Sequence, residues 1–387
     1  MGQSPMDYLV YEGEKTQHGP AYMSAKMHQS RVPTITWSRL LTCTFVLTIS
    51  FLLSSSPIFP PILLLSKGST VCLHSMMTKS AFQATRLTPS TFLVREYDDI
   101  FSEHPHIYVK IIPSANTVLV IDTGTGGKSN NHDVEVTSLR QFIETVEVAD
   151  NNHRPLNEGG KMKYVVVTTH CHYDHILGIE DFNDSIILAS GHSEAFLSPV
   201  RIPEHSLCNA LHIKTPQYNP KLVPHGHVIT SPTHPRTSLN ITILHTPGHT
   251  PDELAIYDGS EMMLYVGDSL YEYEPIIFPN EGSMVSWFES VDYLMTFVAE
   301  RNAMVQKQHG SGAREVLINA GHRTAAQPAM DVLSGSKAFM EDVVNGREPV
   351  KGRLKVRGED NLVYEQAGGR FSLRCPERLI KEIRRSY

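Results

Sequence analysis

Cysteine is scarce in this chain. There are 5 in 387 residues (Cys43, Cys72, Cys171, Cys208 and Cys375), scattered, odd in number and without CxxC spacing. A disulfide framework is therefore not expected, and a reducing, cytoplasmic setting is the better reading. Basic runs with interleaved aromatics are missing as well, and the formal net charge is -7. Nothing in that balance draws the chain to nucleic acid. Long apolar runs are also missing. The best candidate, LLTCTFVLTISFLL (Leu40–Leu53), falls short of the roughly 20 residues a membrane span needs, and Pro57, Pro60 and Pro61 break the chain just beyond it. It also lies too far along the chain for a cleaved signal peptide. Residues 40–65 thus leave membrane association open, either as a short anchor or as part of a dispensable leader ahead of Met76 or Met77. No internal repeat of fixed period is visible.

What the chain has in abundance is histidine, with 20 copies. The 41% apolar content is enough for a sizeable core. Residues 1–35 are polar and aperiodic and read as disordered. The whole stretch 1–85 is taken as an N-terminal extension to a catalytic domain over 86–387. From Thr91 the pattern becomes regular. Ile107–Ile112 and Thr117–Ile121 are β-branched runs joined by PSAN, a hairpin signal. Val134–Val148 has helical spacing, Tyr164–Val167 and Ser185–Ala189 read as strands, and Ser193–Leu197 as the start of a short helix. Further strands are expected at Ile241–His245, Glu253–Tyr257, Met262–Val266 and Glu315–Asn319, with helices at Ser283–Ala299 and Ala325–Val344. Mixed strands and helices favour an α/β sandwich over a doubly wound sheet. The irregular segment Ser198–Pro235, rich in proline and histidine, is long enough to be functional. Within it, His225-Gly226-His227 reads as a glycine-centred turn.

The chemistry concentrates at residues 168–175, TTHCHYDH, directly after a buried-looking strand. A His-x-His pair can place two imidazoles on one ion if the backbone leaves extended geometry. Asp174 and His175 then add an oxygen and a nitrogen, and imidazole and carboxylate are common ligands of catalytic zinc. One loop cannot complete two metal sites, so more ligands are expected downstream. Three segments offer them, each just past a strand: HTPGHT with His249, VGDS with Asp268 and NAGH with His322.

With these four segments in this order, the sequence resembles the metallo-β-lactamase fold superfamily over roughly Thr91–Val344. The resemblance implies an αββα sandwich of two mixed sheets with helices on the outer faces. It implies two zinc ions at one edge, although the same ligands can hold iron. By position, His170, His172 and His249 would hold the first metal. Asp174, His175 and His322 would hold the second, and Asp268 would bridge. Asp122 would orient the ligand loop without binding metal, and Cys171 would point away as a small buried residue. The Asp-His-His set looks like the glyoxalase II and lactonase branches. The PDE after HTPGHT and the GDxxY context look most similar to acyl-CoA-hydrolysing members.

A metal-activated hydroxide would then attack a carbonyl, with Asp174 orienting it and passing its proton to the leaving group. Tyr271 has two readings. Either its hydroxyl is an oxyanion donor to the substrate, as in lactonases and some thioesterases of this fold, or its ring packs over the loop. The expected substrate is a small acyl molecule: an acyl-CoA or glutathione thioester, alternatively a lactone. An iron-containing oxidoreductase is the reading from another class. Substrate lining is expected from Ser198–Pro235 and from Ile276, Ile277, Phe278 and Trp287.

Overall fold

The computed structural model describes residues 79–310 and 312–386. A seven-stranded sheet forms in sequence order from β1 (Phe82–Arg86), β2 (Thr91–Glu96), β3 (His106–Ile112), β4 (Thr117–Ile121), β5 (Lys163–Val167), β6 (Ile186–Ser190) and β7 (Lys221–Val223). It is antiparallel through β4 and parallel from β4 to β7. The crossovers carry α1 (Leu139–Thr145), α2 (Tyr173–Ile176) and α3 (Ile202–His205). The second sheet holds β8 (Val228–Thr230), β9 (Ser238–His245), β10 (Leu254–Asp258) and β11 (Met263–Tyr265). Next come β12 (Pro275–Ile277), which joins a third sheet, and α4 (Met284–His309). β13 (Leu317–Asn319), parallel to β11, and β14 (Gln327–Pro328) complete the second sheet. After α5 (Ala329–Val344), strands β15 (Gly352–Val356), β16 (Glu359–Glu365) and β17 (Ser372–Pro376) join β12, and α6 (Glu377–Ser386) follows.

Strand parity sets the layers. In β3, Ile107 and Val109 pack with Leu139, Phe142 and Ile143 of α1 on the outer face. Tyr108, one residue out of phase, turns to the opposite side. There it joins Leu119, Val165 and Val167 of the first sheet and Ile243, Ile256 and Met263 of the second. The far side of the second sheet, including Leu244, Ala255 and Leu264, packs against Trp287, Leu294, Leu333 and Ile380 of α4, α5 and α6. The order is helix, sheet, sheet, helix, as expected, and both principal sheets mix parallel and antiparallel pairs.

Some expectations change. The helical spacing over Val134–Val148 yields a helix only at Leu139–Thr145, because Ser138 caps it by accepting a hydrogen bond from Gln141 N. Val136 and Val148 instead form bridges to Ser80 and Arg154. Ser193–Leu197 is a turn, and the short helix comes later, at Ile202–His205. Helix α4 runs ten residues past Ala299 to His309, where Gly310 at φ 81 ends it. The third sheet adds to the strands expected from the sequence. Its β15–β16 hairpin turns on Arg357 and Gly358, both at positive φ (46 and 83), a geometry suited to a two-residue hairpin loop. The first sheet already includes Phe82–Arg86, ahead of residue 86 where the sequence reading opens the catalytic domain. Among the described residues, no helix is long and apolar enough to cross a membrane. The polar stretch 1–35 and the apolar segment 40–65 lie outside the described residues.

Candidate metal centre

The strand ends bring the predicted side chains together. His170 and His172 follow β5, Asp174 and His175 sit in the single turn of α2, and His249 lies in the β9–β10 loop. Asp268 and His322 follow β11 and β13, which run parallel and so release both chains on the same side. Two groups of ligand atoms result, each spanning no more than 4.8 Å: His170, His172 and His249, and Asp174, His175, Asp268 and His322.

In the first group, His172 Nδ1 lies 3.0 Å from both His170 Nε2 and His249 Nε2. The outer ring nitrogens of these partners are engaged elsewhere. His249 Nδ1 donates to the Ile277 carbonyl at 2.7 Å. His170 Nδ1 lies 3.1 Å from Thr169 Oγ1 and 3.6 Å from Glu253 Oε2. With those protons placed outward, Nε2 of His170 and of His249 each present a lone pair to the same point. Burial, reinforced by neighbouring imidazoles, holds His170 and His172 well below the usual histidine range. Neutral imidazole is the form that ligates a cation.

In the second group, His175 Nε2 lies 3.4 Å from Asp174 Oδ2 and from Asp268 Oδ1. His322 Nε2 lies 3.3 Å from Asp174 Oδ2 and 3.5 Å from Asp268 Oδ2. Burial opposes charge on both histidines, but Asp174 and Asp268 outweigh it and raise them well above the usual range. His175 Nε2 and Asp268 Oδ1 are buried without a hydrogen-bond partner. Buried polar atoms rarely stay unsatisfied, and here both belong to a cation-type donor set. The residues therefore fit a two-metal site.

Supporting contacts explain the local motifs. Asp122, at φ 60 just past β4, accepts from Thr169 N at 2.7 Å and Thr169 Oγ1 at 2.8 Å. Its Oδ2 also accepts from His175 Nδ1 at 2.8 Å, so it orients the loop without joining either group. His322 Nδ1 donates to the Glu103 carbonyl at 3.1 Å. Carbonyl and carboxylate partners of this kind fix tautomer and ring orientation. The glycines of GD and GH are needed for close approach. A Cβ on Gly267, at φ +51, would overlap Glu253 Oε1, and one on Gly321 would overlap Asp268 Oδ1.

Residues 107–303 match the family profile of the metallo-beta-lactamase superfamily. The chain belongs to this superfamily. It is 31% identical over 319 residues to the Aspergillus versicolor protein named "Putative transcription factor avaE", covering 79% of this chain and 90% of that one. It is 25% identical over 182 residues to the acyl-coenzyme A thioesterase MBLAC2 of Gallus gallus, covering 44% of this chain and 56% of the relative. The Homo sapiens MBLAC2 is 27% identical over 184 residues, with 44% and 57% covered. The chain thus spans little more than half the length of these two thioesterases. Among solved structures, a metallo-beta-lactamase family protein of Thermus thermophilus is 17% identical, with 69% of this chain and 85% of that chain covered and a TM-score of 0.47.

Within this superfamily site, all seven sequence-predicted ligands converge, with Asp268 grouped with the second set. Cys171 is buried away from both groups and packs on Ala189, Phe196 and Leu197. His225 and His227 form no ligand group and flank a turn at Gly226, φ 78. Three expectations are corrected. Ile276, Phe278 and Trp287 are 0%, 1% and 1% exposed and belong to the core between α4, which carries Trp287, and the strands beneath it, so they line no open surface. Trp287 Nε1 donates to the Ser269 carbonyl at 2.6 Å, which seats the ring beneath the Asp268 turn. Ile277 contributes through its carbonyl to His249. A cleft of about 340 Å³ lies along part of Ser198–Pro235, lined by residues including Ile202, Tyr218 and Leu222 and by none of the seven ligands.

Tyr271 also reads differently. It is 4% exposed, its ring meets His322 edge-on, and its hydroxyl donates to the Pro275 carbonyl at 3.0 Å. The proton that an oxyanion contact would need is used within the chain. Tyr271→Phe should therefore cost about 1 kcal/mol of stability for one hydrogen bond. It should leave kcat far above the roughly 10²-fold loss expected of an oxyanion donor. Urea unfolding and steady-state rates on the same preparation check both; a loss of that size with metal retained would return the hydroxyl to the reaction.

Sequence reasoning missed Glu253. It is 1% exposed and accepts from Asp268 N at 3.0 Å. Its only sequence signal is the PDE that follows HTPGHT.

Proposed function

We propose that the chain is a two-metal hydrolase that cleaves thioesters of the acyl-CoA type. The observation that carries this is the pair of buried ligand groups, one of three imidazoles and one of two carboxylates and two imidazoles. Two divalent cations held there, zinc in this reading, would polarise a carbonyl and make a bound water acidic near neutral pH. The first group contributes no charge, while Asp174 and Asp268 contribute two negative charges to the second. The more electrophilic position is thus beside His170, His172 and His249. What surface the ligands retain is on Asp174, Asp268 and His322, at 6% each against 0–2% for the others. Substrate entry over the second group follows. Asp174, on that side, is placed to take a proton and return it to the leaving sulfur. Asp268, in the turn after β11, would be the carboxylate shared between the two cations in this reading. Similarity to the MBLAC2 thioesterases supports a thioester over a lactone.

The test is a panel of acyl-CoA thioesters of graded length, acyl-glutathione thioesters and lactones, assayed before and after chelation and zinc return. Acyl-CoA turnover that chelator abolishes and zinc restores is the expected result. Turnover of lactones alone would replace the thioesterase reading, and chelator-insensitive hydrolysis would remove the metal from it.

A further inference from the structure

Each ligand group needs outer partners, and the first sheet supplies one buried carboxylate, Asp122, which serves Thr169 and His175. The second sheet supplies another. Glu253 stands just before β10, four residues past His249, and is 1% exposed. Its two oxygens face different ligand groups. Oε1 accepts from the backbone N of Asp268 at 3.0 Å, in the second group. Oε2 lies 3.6 Å from His170 Nδ1, in the first, and 3.4 Å from Thr250 Oγ1, which donates to it. The Glu253 backbone is fixed as well, since its carbonyl accepts from Thr246 N and its amide donates to the Thr250 carbonyl. The adjoining Gly267 has no side chain where Glu253 Oε1 stands.

We infer that Glu253 is a positioning residue joining the two ligand groups, setting His170 through one oxygen and the Asp268 backbone through the other. This inference rests on the metal centre described above. It gives the three-histidine group a buried carboxyl group 3.6 Å from His170 Nδ1, a longer-range contact than the 2.8 Å hydrogen bond between His175 Nδ1 and Asp122. It also makes the pose of Asp268 depend on the same side chain, so loss of Glu253 reaches both groups.

Glu253→Gln separates positioning from mere fit, because shape and volume are kept. The Asp268 amide holds the new amide oxygen at the Oε1 position, so the NH2 must face His170 Nδ1, donor against donor. Zinc content, zinc affinity by chelator competition and the visible spectrum of the cobalt(II)-substituted protein are measured for the parent, Glu253→Gln and Glu253→Asp. Thermal unfolding is followed alongside. The expected result is a roughly 10–100-fold weaker zinc affinity in Glu253→Gln, the scale for loss of an outer partner, with a changed cobalt spectrum in protein that remains folded. Glu253→Asp, which keeps the charge, should recover part of the affinity. Unchanged affinity and spectrum in folded Glu253→Gln overturn the inference, even if its melting point falls. A parent that binds no zinc overturns the metal centre itself and the inference with it, which distinguishes the two failures.

Discussion

His172→Ala and Asp268→Ala are each expected to lose metal and hydrolysis together, for different reasons. His172 Nδ1 lies 3.0 Å from the facing nitrogens of both His170 and His249. Its removal leaves the first group two neutral imidazoles, too few for a zinc site. Asp268 removal takes from the second group one of its two carboxylates, which like Asp174 approaches both His175 and His322. His175 and His322 then keep only Asp174 between them, and the cation loses half of the negative charge on that side. Loss of an outer partner alone costs roughly 10–100-fold in affinity or activity, and loss of a direct ligand should exceed that. Zinc measured by emission spectrometry should fall from near two equivalents in the parent to one or fewer in either variant. Rates should fall in parallel, with the circular dichroism of a folded protein. Full activity in a metal-free preparation would dispose of the two-metal reading.

The second large effect concerns stability. Lys110 on β3 is buried at the junction between the two principal sheets. Its Nζ lies 2.6 Å from Asp258 Oδ2 at the end of β10 and 2.8 Å from Glu261 Oε2 in the following turn. Ser90 Oγ accepts from the same ammonium at 2.9 Å, and Thr91 Oγ1 donates to Glu261 Oε2 at 2.7 Å. Lys110→Met leaves two carboxylates in a dry setting without their cation. Breaking a buried pair in this way costs roughly 3–5 kcal/mol, a fall in Tm on the order of 10 °C for a domain of this size. Replacing the cluster at once (Lys110→Met, Asp258→Asn and Glu261→Gln) should recover much of the loss, because no unpaired charge remains. Burial alone would raise Glu261, but hydrogen bonds from Lys110, Thr88 and Thr91 outweigh it and hold it at about 2. The unfolded chain binds that proton at the ordinary carboxylate value and the folded chain only near 2. The contribution is thus full above the ordinary value and is lost as pH falls towards 2. Lys110→Met should flatten this part of the acid-unfolding profile. A loss below 1 kcal/mol by urea titration would show that the cluster does not hold the sheets together.

The ligand positions were legible in the sequence because each depends on short-range rules. TTHCHYDH, HTPGHT, VGDS and NAGH each follow a β-branched or apolar run, and a polar side chain just past a buried strand is held rigidly at the sheet edge. The apolar, β-branched runs of β3 and β5 likewise marked them as buried strands. Asp122, the first residue beyond β4, was legible through the family resemblance. Tertiary structure decided matters that depend on contacts across long chain separations. Glu253 looks like any acidic residue opening a strand until the β11 turn places the Asp268 amide against it. Tyr271 had two readings until the chain doubled back and put the Pro275 carbonyl at its hydroxyl. Ile276, Phe278 and Trp287 have the composition of a binding wall, but α4 brings Trp287 down onto the other two and makes all three core. Lys110, Asp258 and Glu261 show the same division, since no local pattern pairs a charge on one sheet with two on the other. Periodicity reports which side of an element is buried, because that follows from backbone geometry; only packing determines which distant group is buried against it.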